Sequence, residues 1–400
     1  MATPPRPRPT RYQRVKRLID QKLAGLSRRV GRPIVATPAD VGAAPSLAGL
    51  PQPANAAEMP AAFQQGFADT YAEVLPNLRE LVYRLRHVRV AWHGAVLKGL
   101  RVFLPSLPQP WMEPEFTGLF LLRQLRSRPV PAQAAGPAGL VFDSWSGNYF
   151  HWMAEALPRL ALLRKVSPDC VVLLPGPKPP TYITETVRAL GFGRTHVLMP
   201  GELAPVTELV LPVRPGRHGY LVPGLVRDVR EAIIGYYAEL LRAARPASRR
   251  VYVSRSRQQW RFLTNETEAL ALLACYGFET VYFEDLSFAE QVRTMYETDV
   301  LVGIHGANMT NLLFMTAGSH VLEMMSPTYV NPSYLSMAQS VDIHYWLVPS
   351  LLGSPLNVEH NYADITADLA ELEHVLRQAC AGSRTQALHK QPLASAGPTT

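Results

Sequence analysis

The chain has 400 residues, of which 47% are hydrophobic, so it is long and apolar enough for two domains with large cores. Its net charge of +8 is confined to one end. Ten basic residues and one acidic residue lie between Met1 and Ile34, and the rest of the chain is close to neutral. A near-neutral body has no overall attraction for a polyanion, so we predict no nucleic-acid partner. The three cysteines are far apart, which argues against a disulfide framework and a structural zinc site.

The basic N-terminal arm has the pattern of an amphipathic helix that begins near Arg11. Its apolar residues recur at spacings of three and four, namely Tyr12, Val15, Ile19, Leu23, Leu26 and Val30. The pattern allows two interpretations, a peripheral contact with an anionic membrane surface and a helix that docks on the body. The sequence has neither a signal-peptide pattern nor an apolar run long enough to span a bilayer. We expect a cytoplasmic protein whose membrane contact, if any, is peripheral and on the inner face.

The order of apolar segments and helical patterns predicts two α/β domains. Strand candidates at 139–145, 170–176 and 206–213 alternate with a helix at 181–192, and the alternation restarts after a helix near 225–244. This order is typical of a parallel sheet with helices on both faces. The predicted parts are an arm and linker at 1–45, domains at 46–224 and 225–363, and a final helix with a loose tail at 364–400. We expect that helix to begin at Asp364 or Thr366.

The stretch LVGIHGANMTN, which begins at position 301, joins a buried strand to polar residues. In open α/β sheets, ligands bind beyond the carboxyl ends of the strands. His305 lies at such an end, Gly306 allows close approach to the backbone, and the helix that follows offers free N–H groups to an anion. Asn308 and Asn311 add neutral donors and acceptors. The alternative is that the histidine and the amides only cap a turn and a helix.

Charged residues end two other strand candidates of the second domain. Arg255 lies at the end of the candidate at 249–256 and Arg261 follows it, and a guanidinium can bind phosphate oxygens in a bidentate manner. Glu323 ends the candidate at 320–326, where a carboxylate can accept from ribose hydroxyls by analogy with dinucleotide-binding folds. The alternatives are a solvated basic loop and a surface glutamate. The apolar neighbours of Glu323 indicate that its carboxylate needs a partner.

The stretch SGNYFHWMAEALPRL, which begins at position 146, places a histidine and a glutamate on one helix face. His151 and Glu155 are four residues apart, so their side chains are neighbours on a helix. Pro158 removes a backbone donor, so we expect the helix to kink or restart there. A His–Glu pair at such a point could act as a general base with an orienting partner. The alternative is a buried polar pair whose members satisfy each other.

Several signals of other chemistries are absent from the sequence. It has no Asp-x-Asp sequence for a metal-bound diphosphate, no phosphate-binding P-loop, no Gly-x-Ser-x-Gly and no His-Glu-x-x-His. The sequence therefore gives no support to a metal-dependent or serine-hydrolase mechanism. We predict no metal site and no cofactor.

Taken in this order, the motifs resemble glycosyltransferase family 61, which includes capsular-polysaccharide-type bacterial transferases and eukaryotic xylosyl- and N-acetylglucosaminyltransferases. The resemblance depends on NYFHWMAEALPRL, RRVYVSRS followed by NE, GFETVYFEDLSFAEQV, and LVGIHGANMTNLLFM followed by VLEM. It covers roughly residues 142–325. The family implies a GT-B-like pair of doubly wound Rossmann-type domains that face a cleft, with the acceptor at 46–224 and the nucleotide sugar at 225–363.

The motifs and the resemblance together imply three sets of site residues. The implied donor-binding residues are Arg255, Arg261, Asn265, His305, Gly306, Ala307, Asn308, Asn311 and Glu323, with Glu323 on the ribose. The implied catalytic residues are His151 and Glu155, either of which could be the base, and the acceptor-side residues are Asn148 and Trp152.

The family implies an inverting reaction that uses no metal, in which a sugar moves from a nucleotide-sugar donor to a hydroxyl of a polysaccharide or glycolipid precursor. One alternative within enzymes is a pyruvyl or phosphosugar transferase of the same architecture. Another is a catalytically silent glycan- or nucleotide-binding subunit of a polysaccharide assembly complex. Nucleic-acid binding through the basic arm is the weakest alternative.

Overall fold

A computed structural model describes residues 11–30, 34, 36–40, 51–74, 79–116, 137–214, 221–353 and 362–383. The chain divides into two compact units. The first unit comprises residues 1–46 and 78–215, and the second comprises 47–77 and 216–400. Residues 47–77 thus belong with the C-terminal half, whereas the sequence pattern assigned them to the first domain.

The elements of both units are numbered in chain order. The strands are β1 Ala39–Asp40, β2 Leu81–Ala91, β3 Val96–Lys98, β4 Arg101–Val102, β5 Ala138–Gly139, β6 Val171–Pro175, β7 Thr195–Leu198, β8 Leu203–Pro212, β9 Arg249–Val253, β10 Glu279–Val281, β11 Thr298–Ile304, β12 His320–Met325, β13 His344–Leu352 and β14 Ile365–Ala367. The α-helices are α1 Arg11–Val30, α2 Ala61–Val74, α3 Leu157–Val166, α4 Thr181–Ala189, α5 Pro223–Tyr236, α6 Ala238–Arg242, α7 Glu266–Cys275, α8 Phe288–Tyr296, α9 Ser333–Ser340 and α10 Leu369–Gly382. A π-helix spans His151–Ala156, and short 3₁₀ helices span Ala56–Glu58, Leu104–Ser106, Pro110–Phe116, Phe283–Asp285 and Ala307–Phe314.

The first unit contains a mixed sheet with strand order β4-β3-β2-β8-β5-β6-β7, and β1 pairs with β2. Strands β8, β5, β6 and β7 are parallel, whereas β2 is antiparallel to β8, β3 and β1. The α/β class is therefore confirmed, but this sheet is only half parallel. The reason is visible in β2, where buried and exposed residues largely alternate, as in an antiparallel strand with one solvated face.

The second unit contains a six-stranded sheet with order β10-β9-β11-β12-β13-β14, in which β14 alone is antiparallel to its neighbour. All residues of β11 and β12 are buried, which is expected when helices cover both faces of a parallel sheet. Helices α7 and α10 supply Leu273, Leu372 and Leu376 to the core on one face. This α/β unit follows the predicted pattern closely. The predicted GT-B-like pairing of the two domains stays a prediction.

Most local predictions of the sequence are confirmed, and two are corrected. Helix α8 begins with a capping box, a reciprocal pair of hydrogen bonds between Ser287 and Glu290. The segment predicted as a strand at 139–145 is paired only at β5. The final helix begins later than predicted, because residues 365–367 pair with β13 as β14, and Asp368 then caps α10 through Ala370 and Glu371. Within the described ranges, none of the helices combines the length and low polarity needed to cross a bilayer.

Candidate functional site

The strand order of the second unit marks one edge of its sheet as a ligand position. Strand β10 lies on one side of β9 and β11 lies on the other, so the chain reverses its direction of winding between β9 and β11. Ligands of open α/β sheets bind at this reversal, outside the carboxyl ends of the strands. Ser254 and Arg255 directly follow the end of β9, and His305 and Gly306 directly follow the end of β11. The structure therefore brings the predicted strand-end residues together.

Arg255 is a buried cation beside this crevice. Only 8% of the residue is exposed, and its guanidinium donates to the carbonyl oxygens of Trp260 at 3.1 Å and Arg261 at 3.4 Å. Across the described residues, no carboxylate lies within ion-pair distance of it. Burial and the charge of Arg261 lower the pKa of Arg255 to about 10, so it remains charged at neutral pH. The carboxylate of Glu284 opposes this lowering from beyond ion-pair distance. A buried cation without a close ion-pair partner is costly, so Arg255 indicates an anionic ligand.

Gly306 provides the space that the Arg255 guanidinium occupies. Its backbone is extended, which any residue can adopt, so its conformation does not require glycine. A Cβ atom built on Gly306 would instead overlap the Arg255 side chain. The carbonyl oxygen of Gly306 accepts a hydrogen bond of 2.6 Å from the hydroxyl of the buried Tyr334. The sequence predicted that another group could approach the backbone closely at Gly306. In the structure that group is the side chain of Arg255, which follows the neighbouring strand β9.

His305 is held by a carboxylate behind it. Its Nδ1 forms a short hydrogen bond with Glu323, and the hydroxyl of Tyr345 donates to the other Glu323 oxygen at 2.7 Å. Burial lowers the pKa of His305, the Glu323 carboxylate opposes this, and Arg261 and Arg255 lower the pKa further. Glu323 is fully buried, and its two oxygens form hydrogen bonds with His305 and Tyr345. The predicted hydrogen bonds to ribose hydroxyls would have to compete with these contacts. In the structure Glu323 orients the His305 ring.

Arg261 and His305 line a pocket at the ends of β11 and β12. Arg261 has φ +60°, a left-handed conformation that non-glycine residues rarely adopt and that often occurs at functional sites. Its buried Nε has no hydrogen-bond partner in the described part of the chain. The pocket is small, with a cavity volume of about 20 Å³, which is room for about one water molecule. Its walls are formed by Arg261, Ile304, His305, Met324, Met325, Ser326, Tyr329, Ala363 and Ile365.

The amides that were predicted to bind the donor have different surroundings. Asn265 exchanges two hydrogen bonds with the backbone of Ala367, at 2.9 and 3.0 Å, and so connects the loop to β14. Asn311 is buried and donates to Gln291 at 3.1 Å. Ala307 and Asn308 are half-buried and begin the 3₁₀ helix after Gly306. The Asn308 amide donates to Glu284 at 3.5 Å, a long contact that a ligand could replace, whereas Asn265 and Asn311 support the framework.

The first unit has its own reversal of strand order, and a second group of charged residues lies there. Strands β6 and β7 continue to one side of β5, and β8 lies on the other side. Asp143 follows the end of β5, and Arg214 follows the end of β8. Their ion pair of 2.8 Å closes the crevice between the two strand ends.

His151 and Glu155 join this group through Arg214. The Nδ1 atom of His151 lies 2.7 Å from Glu155, and Arg214 contacts both Glu155 oxygens, at 2.9 and 3.0 Å. The side chain of His151 is 27% exposed, whereas Glu155 is buried. Both residues lie in the π-helix, and α3 begins at Leu157, just before Pro158, as the predicted restart requires. The arrangement leaves Nε2 of His151 as the exposed basic atom.

Arg214 is held in place by Asp143, which is itself paired with Arg159. Asp143 accepts from Arg159 at 3.0 Å with the same oxygen that contacts Arg214. Burial alone would raise the pKa of Asp143, but the two guanidinium groups outweigh burial and hold that pKa below its usual value. The ring of Trp145 lies 5.2 Å from the Arg214 guanidinium and 5.2 Å from the His151 ring. The charges of this network are therefore balanced and held rigidly.

The two predicted acceptor-side residues lie in different environments. Asn148 is exposed, and its side-chain oxygen accepts from the backbone N–H of Phe150 at 2.9 Å, which shapes the entry to the π-helix. Trp152 is completely buried, and its indole N–H donates to Thr186 at 3.0 Å. Trp152 thus has a packing role instead of the predicted acceptor contact. No three His, Cys, Asp or Glu side chains of the described ranges are grouped to hold a metal ion.

The residues of the two candidate sites, around Arg255 and His305 and around His151 and Glu155, lie within or next to a segment that matches a protein-family model. Residues 149–322 match the family model Glycosyltransferase 61. The match covers just under half of the chain and runs from just before the π-helix into the middle of β12. The predicted resemblance to this family is confirmed to that extent, because His151, Glu155, Arg255 and His305 all lie inside the matched region.

Curated proteins that are similar to this chain carry the names of glycosyltransferases. Human protein O-linked-mannose beta-1,4-N-acetylglucosaminyltransferase 2 is 37% identical over 100 residues, which are 22% of this chain and 17% of that protein. The EGF domain-specific O-linked N-acetylglucosamine transferase of Drosophila melanogaster is 34% identical over 104 residues, or 25% and 20% of the two chains. The rice beta-1,2-xylosyltransferase RCN11 is 28% identical over 95 residues, or 24% and 16%. The chain thus spans a fifth or less of the length of these relatives.

The names of these relatives bear on the finer predictions. They describe N-acetylglucosaminyl and xylosyl transfer, and none of the three is named for capsular polysaccharide.

Four residues that contact the candidate site residues were not predicted from the sequence, namely Asp143, Arg214, Tyr334 and Tyr345. Strand order was the missing information for Asp143 and Arg214, since each follows a strand end of the first sheet.

Proposed function

We propose that this protein is a glycosyltransferase that moves a sugar from a nucleotide-sugar donor to a hydroxyl group of a glycan or glycolipid acceptor. The observation that carries the proposal is Arg255, a buried cation without a carboxylate partner among the described residues, at the crevice of an α/β sheet. The Glycosyltransferase 61 match around it supports the choice of reaction. Inversion at the anomeric carbon, a polysaccharide or glycolipid precursor as acceptor and independence of metal are parts of the same proposal.

The second unit would bind the nucleoside diphosphate. Arg255 would donate to the phosphate oxygens, and the backbone N–H groups of Ala307 and Asn308, at the start of the 3₁₀ helix, would donate to the same anion. His305, oriented by Glu323, adds a further donor when it is protonated. The pocket beside His305 is mostly apolar, with Ile304, Met324 and Ile365 in its walls. The positive charge compensates the departing diphosphate, as a metal ion does in other transferases.

The first unit would supply the base. Both Glu155 oxygens are engaged by His151 and Arg214, so Glu155 orients the ring and Nε2 of His151 accepts the proton. In the reaction, the acceptor oxygen forms a bond to the anomeric carbon with its lone pair. The bond from that carbon to the phosphate oxygen breaks, and its electron pair leaves with the diphosphate. The hydroxyl proton passes to His151, and the configuration at carbon is inverted.

Binding of nucleoside diphosphates should raise the melting temperature of the purified protein, because a ligand that binds only the native state stabilises it. With UDP, GDP, CDP and TDP tested separately, we expect one of them to stabilise the protein by about 2.7 kcal/mol at 100 times its Kd. Addition of EDTA should leave this shift unchanged. Donors that carry N-acetylglucosamine or xylose on the selected nucleotide are the first to assay, given the names of the relatives.

The outcomes of this measurement separate the proposal from its alternatives. No shift with any diphosphate would contradict a nucleotide-sugar donor. A shift without donor hydrolysis or transfer would instead favour a catalytically silent nucleotide-binding subunit. Loss of the shift in EDTA would overturn the metal-independent part of the proposal while keeping the donor site.

The affinity for the diphosphate should fall as the pH rises, because of His305. In the free protein, burial, Arg261 and Arg255 lower the pKa of His305. A bound anion offsets the charge of the two arginines and so raises the pKa of His305. At any pH between the pKa of the free protein and that of the complex, binding of the anion is therefore accompanied by uptake of a proton. Affinity is then highest below the lower pKa and falls as pH rises towards the upper one, by up to about tenfold per unit of their difference.

The phosphate group also titrates in this range, so the measurement needs a reference protein. The ratio of the Kd of His305→Gln to that of the wild type, followed by calorimetry from about pH 5.5 to about pH 8, isolates the histidine. We expect this ratio to decrease with rising pH. A constant ratio would show that the bound anion does not contact His305.

A further inference from the structure

Helix α1 leaves a row of apolar side chains exposed. Val15, Leu18, Ile19 and Leu26 are all exposed, with 59% of Leu18 and 55% of Leu26 accessible to solvent. Their spacing of three to four residues places them on one face of the helix. An exposed apolar row of this length is unusual on a protein surface and indicates a partner.

The opposite face of α1 already has its own contacts. Asp20 and Ala24 are buried, and Lys16 donates to Asp20 at 2.7 Å. Near the end of the helix, Arg28 forms an ion pair of 3.1 Å with Glu113, which lies in the 3₁₀ helix of the first unit. The helix is therefore docked by this face, and the apolar row is not needed to hold it in place.

The surroundings of the apolar row are basic. Arg17, Lys22 and Arg29 are exposed on α1, and Asp20, the one carboxylate in the sequence of this helix, is buried on the other face. Basic residues around an apolar row on one helix are typical of helices that lie in the headgroup region of an anionic bilayer. Each such charge near the surface adds to the attraction, which salt weakens.

An exposed tryptophan lies close to this helix. Trp111 is 69% exposed and belongs to the segment Pro110–Phe116, which packs against α1 and carries the partner of Arg28. Tryptophan is enriched at the boundary between lipid and water, because its ring is apolar and its N–H remains hydrated. Trp111 is a second observation, independent of the helix, that favours a lipid surface.

We propose that α1 and Trp111 bind the protein peripherally to an anionic lipid bilayer, with the helix lying in the plane of the interface. A second copy of the chain is a poorer occupant, because two basic surfaces would repel each other. A polyanion without an apolar phase would leave Leu18 and Leu26 in water. A bilayer with anionic headgroups satisfies the charge and the apolar row together. This inference does not depend on the proposed function.

The test is binding of the full-length protein to vesicles in the absence of any nucleotide. Vesicles of phosphatidylcholine alone are compared with vesicles that also contain phosphatidylglycerol, and the bound fraction is measured by flotation. We expect binding to the anionic vesicles that weakens as salt is added. Leu18→Glu should reduce the partition coefficient by about tenfold or more, since it removes an apolar side chain from the interface and adds a repelled charge. Trp111→Ala should reduce it as well, without a change of charge.

Gln21→Glu is the matched control, because it introduces the same charge at an exposed position of the same helix, outside the apolar row. It should bind vesicles more tightly than Leu18→Glu, while both variants keep the melting temperature of the wild type. Equal weakening by the two variants would overturn the role of the apolar row. The proposal would also be overturned if the wild type failed to bind anionic vesicles, or if it formed a dimer that Leu18→Glu dissociates without any vesicle binding.

Discussion

Substitution of His151 by Gln is expected to lower kcat by a factor of about 10² to 10⁴, the usual contribution of a general base. The reason is that Nε2 of His151 is the exposed basic atom of its group, while Nδ1 is occupied by Glu155 at 2.7 Å. Glutamine keeps the hydrogen bond to Glu155 but cannot take a proton. The Kd of the nucleoside diphosphate should not change, because the proposed diphosphate site is built from residues of the second unit.

Glu155→Gln provides the comparison that separates the base from the group that orients it. Its kcat should fall less than that of His151→Gln, because Nε2 of the histidine can still accept a proton. The same change leaves Arg214 with one carboxylate fewer, so we expect a lower melting temperature as well.

Two results would contradict this assignment. If His151→Gln and Glu155→Gln both retain turnover with intact folding, then the first unit does not supply the base. If His305→Gln abolishes turnover while leaving the Kd of the diphosphate unchanged, then the His305–Glu323 pair is the base. Both pairs consist of a histidine and a buried carboxylate, so this measurement is needed to distinguish them.

The sequence predicted the second unit better than the first because its signals are local. Buried strands such as β11, followed by His305 and Gly306, indicate a ligand edge without any knowledge of the fold. In the first unit, the alternation of LVYRLRHVRVA in β2 is a strand signal that the predicted order of elements omits. Its long antiparallel pairing with β8 is what makes the first sheet mixed.

Individual side-chain roles could not be predicted where they depend on distant neighbours. Glu323 looked available for a ribose, but Tyr345, which is 22 positions away, occupies one of its oxygens. Asn265 looked like a ligand amide, but it forms two hydrogen bonds with Ala367, 102 positions away. A motif identifies a residue type at a strand end, and the packing of other segments then decides which of its atoms remain free for a ligand.

Substitution of Arg255 by Gln should weaken diphosphate binding by about 30-fold or more, the effect of truncating one partner of a buried charge pair. Arg255 has no carboxylate partner in the described part of the chain, so its charge is available to the ligand. Gly306→Ala should weaken binding in the same way without removing any charge. Its new methyl group would displace the guanidinium, while its extended backbone accepts alanine. Titration calorimetry with the selected nucleotide and with inorganic pyrophosphate measures both effects.

The double variant makes this prediction specific. If Gly306→Ala acts only by displacing Arg255, then adding it to Arg255→Gln should cause little further loss, and the two effects will not be additive. Arg257→Gln is the matched control, because Arg257 lies two residues further on, pairs with Asp285 and stacks on the Tyr282 ring. It should bind the diphosphate like the wild type. Equal affinities of Arg255→Gln and Arg257→Gln would place the anion elsewhere, and additive losses would mean that Gly306 contacts the ligand directly.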